Sequence, residues 1–399
     1  MLYALLTALV LLSSSSSLVS SATATVFDNG QGKVALKVPN IVHQTYDYQG
    51  PSYFLFLSIM CVQRFVKPER HILWVNIEGR HRGNAWTHWQ NSVVEGSWEQ
   101  RLANLIKEKK IEVRTLNFPA NPRGNTSVIA HNKAHRSDFV RMDALYSMGG
   151  VYLDTDAFAT SSLDSLRLHD FVMSFDNIVD PDKSKPKRMN NGVLFSAPNS
   201  SYLKHWMNEY ALFNPDSFDY DSSVVPYRLA MQYPDLVHLE MNRISPISFF
   251  FQTSVLAESL ACGILDRNRG GIWHPSWSIS GRTYTYEGIA DEPDRFMLAQ
   301  ADSKLVLHLT MSQVRGICML RKNLRNAEDL KKLPSYLGSL FRTAVHGEDS
   351  FDYATAASAT KAQKQASWKE CRNFLGMHTT PDPDDKTRLH YTGQPPYIP

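Results

Sequence analysis

The chain has 399 residues, enough to bury a large core as one big α/β domain or two smaller ones. Its composition is that of an ordinary globular protein, 43% hydrophobic and 20% charged. A formal net charge of +3 argues against the strongly basic face of a nucleic-acid binder, and there is no internal repeat or heptad run.

Residues 1–24 form a leader. MLYALLTALVLL is followed by a serine run and LVSSATA, and Asp28 is the first charged side chain. An apolar core ending in small residues at Ala22 and Ala24 reads as a secretory signal peptide, with an uncleaved signal-anchor as the alternative. Either reading places the rest of the chain in the secretory pathway. Two glycosylation tripeptides, at Asn125 and Asn199, are consistent with that compartment. Cys61, Cys262, Cys318 and Cys371 show no metal-site spacing. They allow up to two disulfides, with buried thiols as the alternative.

A domain is expected over 38–342. Its pattern predicts a helix at 53–61, a strand at 71–76, a helix at 98–110 and a strand at 111–116. That alternation is the signature of a largely parallel α/β sheet. Next comes HRSDFVRMDALYSMGG, read as a helix with Ser137 as N-cap, closed by Gly149 and Gly150. Strands follow at 151–153, 171–175 and 192–197, a helix at 202–212 and a strand at 304–309. From about Ser350 periodicity is lost, and 343–399 reads as a partly disordered C-terminal extension.

The stretch GGVYLDTDAF carries the chemistry. An apolar strand ends on Asp154 and Asp156, one residue apart, where ligands bind in open α/β sheets. Two ionised carboxylates this close repel unless a cation or strong donors sit beside them. Mn²⁺ or Mg²⁺ bridging to a phosphorylated ligand satisfies both, while a solvent-facing turn is the plain alternative. Asp138 and Arg141 share a face of the preceding helix, which the Gly149-Gly150 break folds back toward the aspartates.

This pattern of Ser137-Asp138, Arg141, Leu145, Gly149-Gly150, Tyr152, Asp154 and Asp156 resembles the DXD sugar-binding region of the family 32 glycosyltransferases. That family includes α-1,6-mannosyltransferases, and α-1,4-galactosyltransferases are close relatives. The match is close over 42–156 and looser through Asn191-Gly192 to His308. The resemblance implies a GT-A-like, Rossmann-related fold with a mostly parallel central sheet flanked by helices. It also implies a hexosyltransferase that holds a UDP-sugar or GDP-mannose through Mn²⁺ or Mg²⁺.

By resemblance, Asp156 is the direct metal ligand, and Asp154 reaches the metal shell and the donor. His308 completes the metal or diphosphate site. Asp138 and Arg141 hold sugar hydroxyls, Asn191 lies near the anomeric carbon, and Tyr152 and Gly192 complete the donor site. A retained configuration, giving an α-linked product on a glycan, glycolipid or glycoprotein acceptor, is implied in the same way, as is the Golgi lumen. The family commonly places serine-tryptophan after the histidine, and here Ser312-Gln313 stand in that place.

Two other readings share these residues. One is a non-catalytic sugar-binding relative. The other is a haloacid-dehalogenase-like phosphatase with Asp154 as nucleophile, although Phe158 stands where threonine or valine is expected. Trp86 and Trp89 suit sugar stacking or core packing equally, and the basic loop at 183–188 suits solvent better than an acceptor.

Overall fold

The structure is a computed structural model. It describes residues 26–28, 33–47, 50–78, 86, 89, 93–122, 128–177, 188–240, 243–244, 260–266, 271–273, 301–309 and 323–374. The leader, Asn125, the basic residues at 183–187, Ser312, Gln313, Cys318 and the final 25 residues lie outside them. Among the described residues no helix is long and apolar enough to cross a membrane.

Strands β1 (Val26–Asp28) and β2 (Lys33–Ala35) pair with each other apart from the main sheet. There follow β3 (Ile41–Tyr46), α1 (Tyr53–Cys61), β4 (Arg70–Asn76), α2 (Trp98–Lys107) and β5 (Glu112–Leu116). Helix α3 (Lys133–Met148) leads into β6 (Gly150–Leu153) and β7 (Ala157–Ala159). After β8 (Phe171–Asn177) and β9 (Arg188–Ser196) come α4 (Ser201–Glu209), α5 (Val225–Gln232) and β10 (His238–Glu240). The described chain ends with β11 (Ile264–Asp266), β12 (Gly271–Trp273), β13 (Val306–His308), α6 (Ala327–Lys331), α7 (Tyr336–His346), α8 (Tyr353–Ser358) and α9 (Lys361–Phe374).

Seven strands form one sheet in the order β10-β8-β9-β6-β3-β4-β5. All run in one direction except β9, which pairs antiparallel with β6 and β8. The fold is therefore α/β with the mostly parallel, helix-flanked sheet that the sequence predicts. Chain order reverses between β3 and β6, so a crevice for ligands opens at the carboxyl ends of these two strands.

Helix α1 (YFLFLSIMC) is apolar all round and every residue of it is buried. It packs in a core cluster with Leu73 and Val75 of β4 and with Phe341 of α7. Helices α3, α4 and α5 pack in a second cluster with Tyr152 of β6 and Phe171 of β8. The pair Trp86 and Trp89 belongs to the first cluster, with Trp86 edge-on to Tyr46 at 5.5 Å, so these side chains serve packing.

Two details differ from the sequence reading. Helix α3 begins before Ser137, because Asn132 caps it by accepting from the Ala134 amide. Ser137 is thereby placed inside the helix, where its hydroxyl does other work. Beyond residue 350, weak periodicity does not mean loss of structure: α8 and α9 form, and Trp368 is fully buried. Their anchorage is one indole and a Cys262–Cys371 disulfide, not an apolar stripe that periodicity would reveal. Cys61 is a buried thiol.

Candidate active site

The strand that carries the aspartates is fixed by its glycines. Gly149 ends α3 at φ +66° and Gly150 opens β6 at φ +113°. A Cβ on Gly150 would sit 2.4 Å from the Ile41 carbonyl oxygen, so only glycine lets β6 lie against β3 here. His43 Nε2–H donates to the Gly149 carbonyl at 2.9 Å, and Trp74 Nε1–H donates to His43 Nδ1. Burial holds this imidazole neutral, with its pKa lowered to about 4.

At the end of β6 the chain turns sharply through Asp-Thr-Asp. The Asp154 amide donates to the Gly192 carbonyl at 2.7 Å, and the Ala157 amide closes back on the Asp154 carbonyl at 2.9 Å. Strand β7 then pairs antiparallel with β13, which sets His308 opposite Ala157. His308 Nε2 lies 3.3 Å from Asp156 Oδ1 and 3.7 Å from Asp154 Oδ2. One ligand atom from each of Asp154, Asp156 and His308 fits within 4.8 Å of the other two.

This group fits a divalent cation. Two carboxylates and one imidazole make a donor set that a divalent cation takes. Asn190 sets the histidine: both its amide atoms approach His308 Nδ1, Nδ2 at 2.8 Å and Oδ1 at 3.0 Å, and the tautomer in which Nδ1–H donates to Oδ1 is the one that turns the Nε2 lone pair to the carboxylates. A Cβ on Gly192 would lie 2.1 Å from His308 Cε1 and 2.6 Å from Asp154 Oδ2. The absence of a side chain there is what lets the histidine and Asp154 approach. Asp154 is the partly exposed member of the trio, at 28% of its side-chain surface, while Asp156 and His308 lie behind it.

Arg141 closes the other side. Its Nη1 donates to the Asn191 carbonyl at 2.6 Å and its Nη2 to Ser137 Oγ at 2.9 Å. Nη2 also lies 3.3 Å from Asp138 Oδ1 and 3.4 Å from Asp154 Oδ1, and the guanidinium stacks over the Tyr152 ring. Burial opposes its charge, but Tyr152, Asp154 and Asp138 outweigh burial and hold it protonated. Burial pushes the Asp138 carboxyl up to about 6 against the pull of Arg141. Tyr152 Oη donates to Asp154 Oδ1 at 2.6 Å, and Asn191 Nδ2 donates to Asp138 Oδ1 at 3.0 Å. Burial raises the Tyr152 hydroxyl pKa, which keeps it a donor.

The structure thus brings Asp138, Arg141, Tyr152, Asp154, Asp156, Asn191, Gly192 and His308 into one connected group. Three members escaped the sequence reading. Thr45 at the end of β3 lies 2.7 Å from both Ser137 Oγ and Tyr152 Oη. The spacing gives Ser137 a capping role beside its place in the family pattern, and gives Asn190 none beside Asn191. Asn190 could have been found from the strand alternation, which turns residues 190 and 191 to opposite faces. Nothing local marks Thr45.

Residues 84–173 match the family model described as the glycosyltransferase sugar-binding region containing the DXD motif. The chain is 29% identical over 120 residues to glucan organizing enzyme 1 of Cryptococcus neoformans, covering 30% of this chain and 32% of that protein. It is 32% identical over 122 residues to an uncharacterized Arabidopsis thaliana protein, covering 29% of this chain and 18% of that one. These alignments therefore span a third or less of the relatives' lengths.

Among solved structures, the apo form of the Streptococcus pneumoniae glycosyltransferase GlyE has a TM-score of 0.36 at 12% identity, over 69% of this chain and 55% of that one. The galactosyltransferase LgtC, solved with donor and acceptor sugar analogues, has a TM-score of 0.31 at 11% identity, over 82% of this chain and 99% of that one. Over residues 84–173 the chain is thus similar to the glycosyltransferase sugar-binding region containing the DXD motif, and within that region Asp154 and Asp156 stand at the end of β6.

Proposed function

We propose that the chain is a metal-dependent glycosyltransferase. In this reading it moves a hexose or N-acetylhexosamine from a nucleotide-sugar to a glycan, glycolipid or glycoprotein acceptor, with an α-linked product. The observation that carries it is the convergence of Asp154, Asp156 and His308 beside a buried, permanently charged Arg141.

Asp154, Asp156 and His308 would hold Mn²⁺ or Mg²⁺, which supplies Lewis-acid stabilisation to the leaving diphosphate. Arg141 adds a positive charge that is already oriented and costs no reorganisation. Asp138 and Asn191 present an acceptor and a donor toward sugar hydroxyls and hold the anomeric carbon in place. Tyr152 and Arg141 together occupy Asp154 Oδ1, which disfavours the phosphatase alternative, where this carboxylate must attack. The leader and the Cys262–Cys371 disulfide support a place in the secretory pathway, in the Golgi lumen. The name of the Cryptococcus relative makes glucan acceptors the first to try.

The test is a donor screen on the full-length chain. UDP-glucose, UDP-galactose, UDP-N-acetylglucosamine and GDP-mannose are supplied with Mn²⁺ or with EDTA. Release of one nucleoside diphosphate is expected to need the metal, and Asp156→Ala is expected to lower it by about 100-fold or more. Release that ignores both EDTA and Asp156→Ala would sink the reading. A folded chain that binds a donor without turnover would be a sugar-binding relative.

A further inference from the structure

The segment NPDSFDYD, residues 214–221, is used by nothing above, yet it abuts both elements that build the sugar site. His135, one turn before Asp138 on α3, donates from Nε2 to the Phe218 carbonyl at 3.1 Å. Arg188, three residues before Asn191 on β9, pairs with Asp219 at 2.7 Å. The segment therefore rests on both elements, three residues from Asp138 on one and three from Asn191 on the other.

Its side chains alternate. Asn214, Asp216, Phe218 and Tyr220 face solvent, while Pro215, Ser217 and Asp219 are half-buried between them. Phe218 is 66% exposed, unusual for a phenylalanine held by so much local structure. The backbone is preset. The Asp216 amide donates to Asn214 Oδ1, the Tyr220 amide to Ser217 Oγ, and the Asn214 amide to Asp221 Oδ2. Beneath the ridge, His135 Nδ1 and the Tyr210 hydroxyl are buried without a hydrogen-bond partner. A rigid ridge of exposed rings loses little entropy on binding.

We propose that this ridge is the platform on which a saccharide acceptor lies as it enters the site. Aromatic faces pack against the C–H faces of pyranose rings, and interleaved carboxylate and amide groups accept and donate to ring hydroxyls. The exposed Asp216 carboxylate repels anionic lipid headgroups, so a membrane surface fits the ridge poorly. The choice of an acceptor as occupant rests on the transferase reading, because the ridge is seated on the two elements that carry Asp138 and Asn191.

The test is calorimetric titration of the full-length chain with linear hexasaccharides of glucose, of mannose and of N-acetylglucosamine. At least one is expected to bind. Phe218→Ala and Tyr220→Ala should each weaken it by about tenfold. Phe218→Trp should retain binding and report it as a change in indole emission. Circular dichroism checks that the variants are folded.

Binding of none of the three sugars, equal binding by the alanine variants, or Phe218-dependent binding to phosphatidylserine vesicles would each overturn the platform. Donor hydrolysis by the wild-type chain separates the two readings. Hydrolysis without saccharide binding removes the platform alone. Phe218-dependent saccharide binding without hydrolysis of any donor removes the transferase and leaves the ridge as a sugar-binding surface.

Discussion

Two buried polar networks flank the β7 segment, and they are built on opposite principles. On one side Gln63 Nε2 donates to His71 Nδ1, and His71 Nε2–H donates to Gln44 Oε1. Gln44 Nε2 then donates to Ser58 Oγ, which donates to the Ala157 carbonyl. Every link is neutral, and burial keeps His71 so, with its pKa lowered to about 3. On the other side Arg141 pairs with Asp138 and Asp154, and His308 lies against Asp154 and Asp156. The first network is closed: each donor meets an acceptor and nothing remains to be bound. The second gathers three carboxylates, a guanidinium and an imidazole within reach of one another, an arrangement suited to holding a ligand, which is why this side reads as the site.

The contrast can be broken from the site side first. Gly192→Ala drives a methyl group into His308 and Asp154. We expect Mn²⁺ affinity, measured by calorimetry, to fall by about 100-fold, with roughly 1–3 kcal/mol lost in urea unfolding. Unchanged metal affinity would mean that these three groups do not act together.

His71→Leu breaks this network and strands the buried Gln44 Oε1, while Gln63 keeps its bond to the Lys110 carbonyl. Unfolding free energy should fall by about 2–4 kcal/mol, while the folded fraction binds Mn²⁺ as the parent does. A parallel loss of metal binding would merge the two networks into one.

The smallest effect concerns pH, where the buried histidines and Asp138 carry opposite signs. His43 and His71 have pKa values lowered to about 4 and about 3. Their contribution is fully present above the ordinary histidine value and is lost as pH falls toward 4, because only the unfolded chain takes up those protons. Asp138, raised to about 6, contributes in the reverse sense: its stability is present at low pH and lost as pH rises through 6. Between pH 4 and 6, two histidines against one carboxyl leave a net loss of about 1.4 kcal/mol per pH unit on acidification. Asp138→Asn should roughly double that slope in urea titrations, and a slope that stays the same would refute the assignment.

Much of this was legible in the primary structure. The alternation of apolar runs predicted β4, β5 and α1, and Gly149-Gly150 marked the turn into β6. Asp138 and Arg141 shared a face by helical spacing alone. These features are local, fixed by side-chain period and by glycine's freedom at positive φ. Ser137 was misread because a serine before a helical run has a capping signature, and Asn132 had already taken that role. The helices beyond residue 350 were missed because Trp368 and Cys371 hold them by contact rather than by pattern.

The sequence by itself determined that two carboxylates would end a buried strand beside an acid and an arginine. His308 is named by the family resemblance but by no local pattern, and the tertiary structure is what brings it to them. It arrives through the pairing of β13 with β7 and is held by Asn190, 118 residues earlier in the chain. Only the fold showed why residue 192 must lack a side chain. Pairings so distant in sequence depend on which strand edges remain open once the rest has packed, and no local period encodes that.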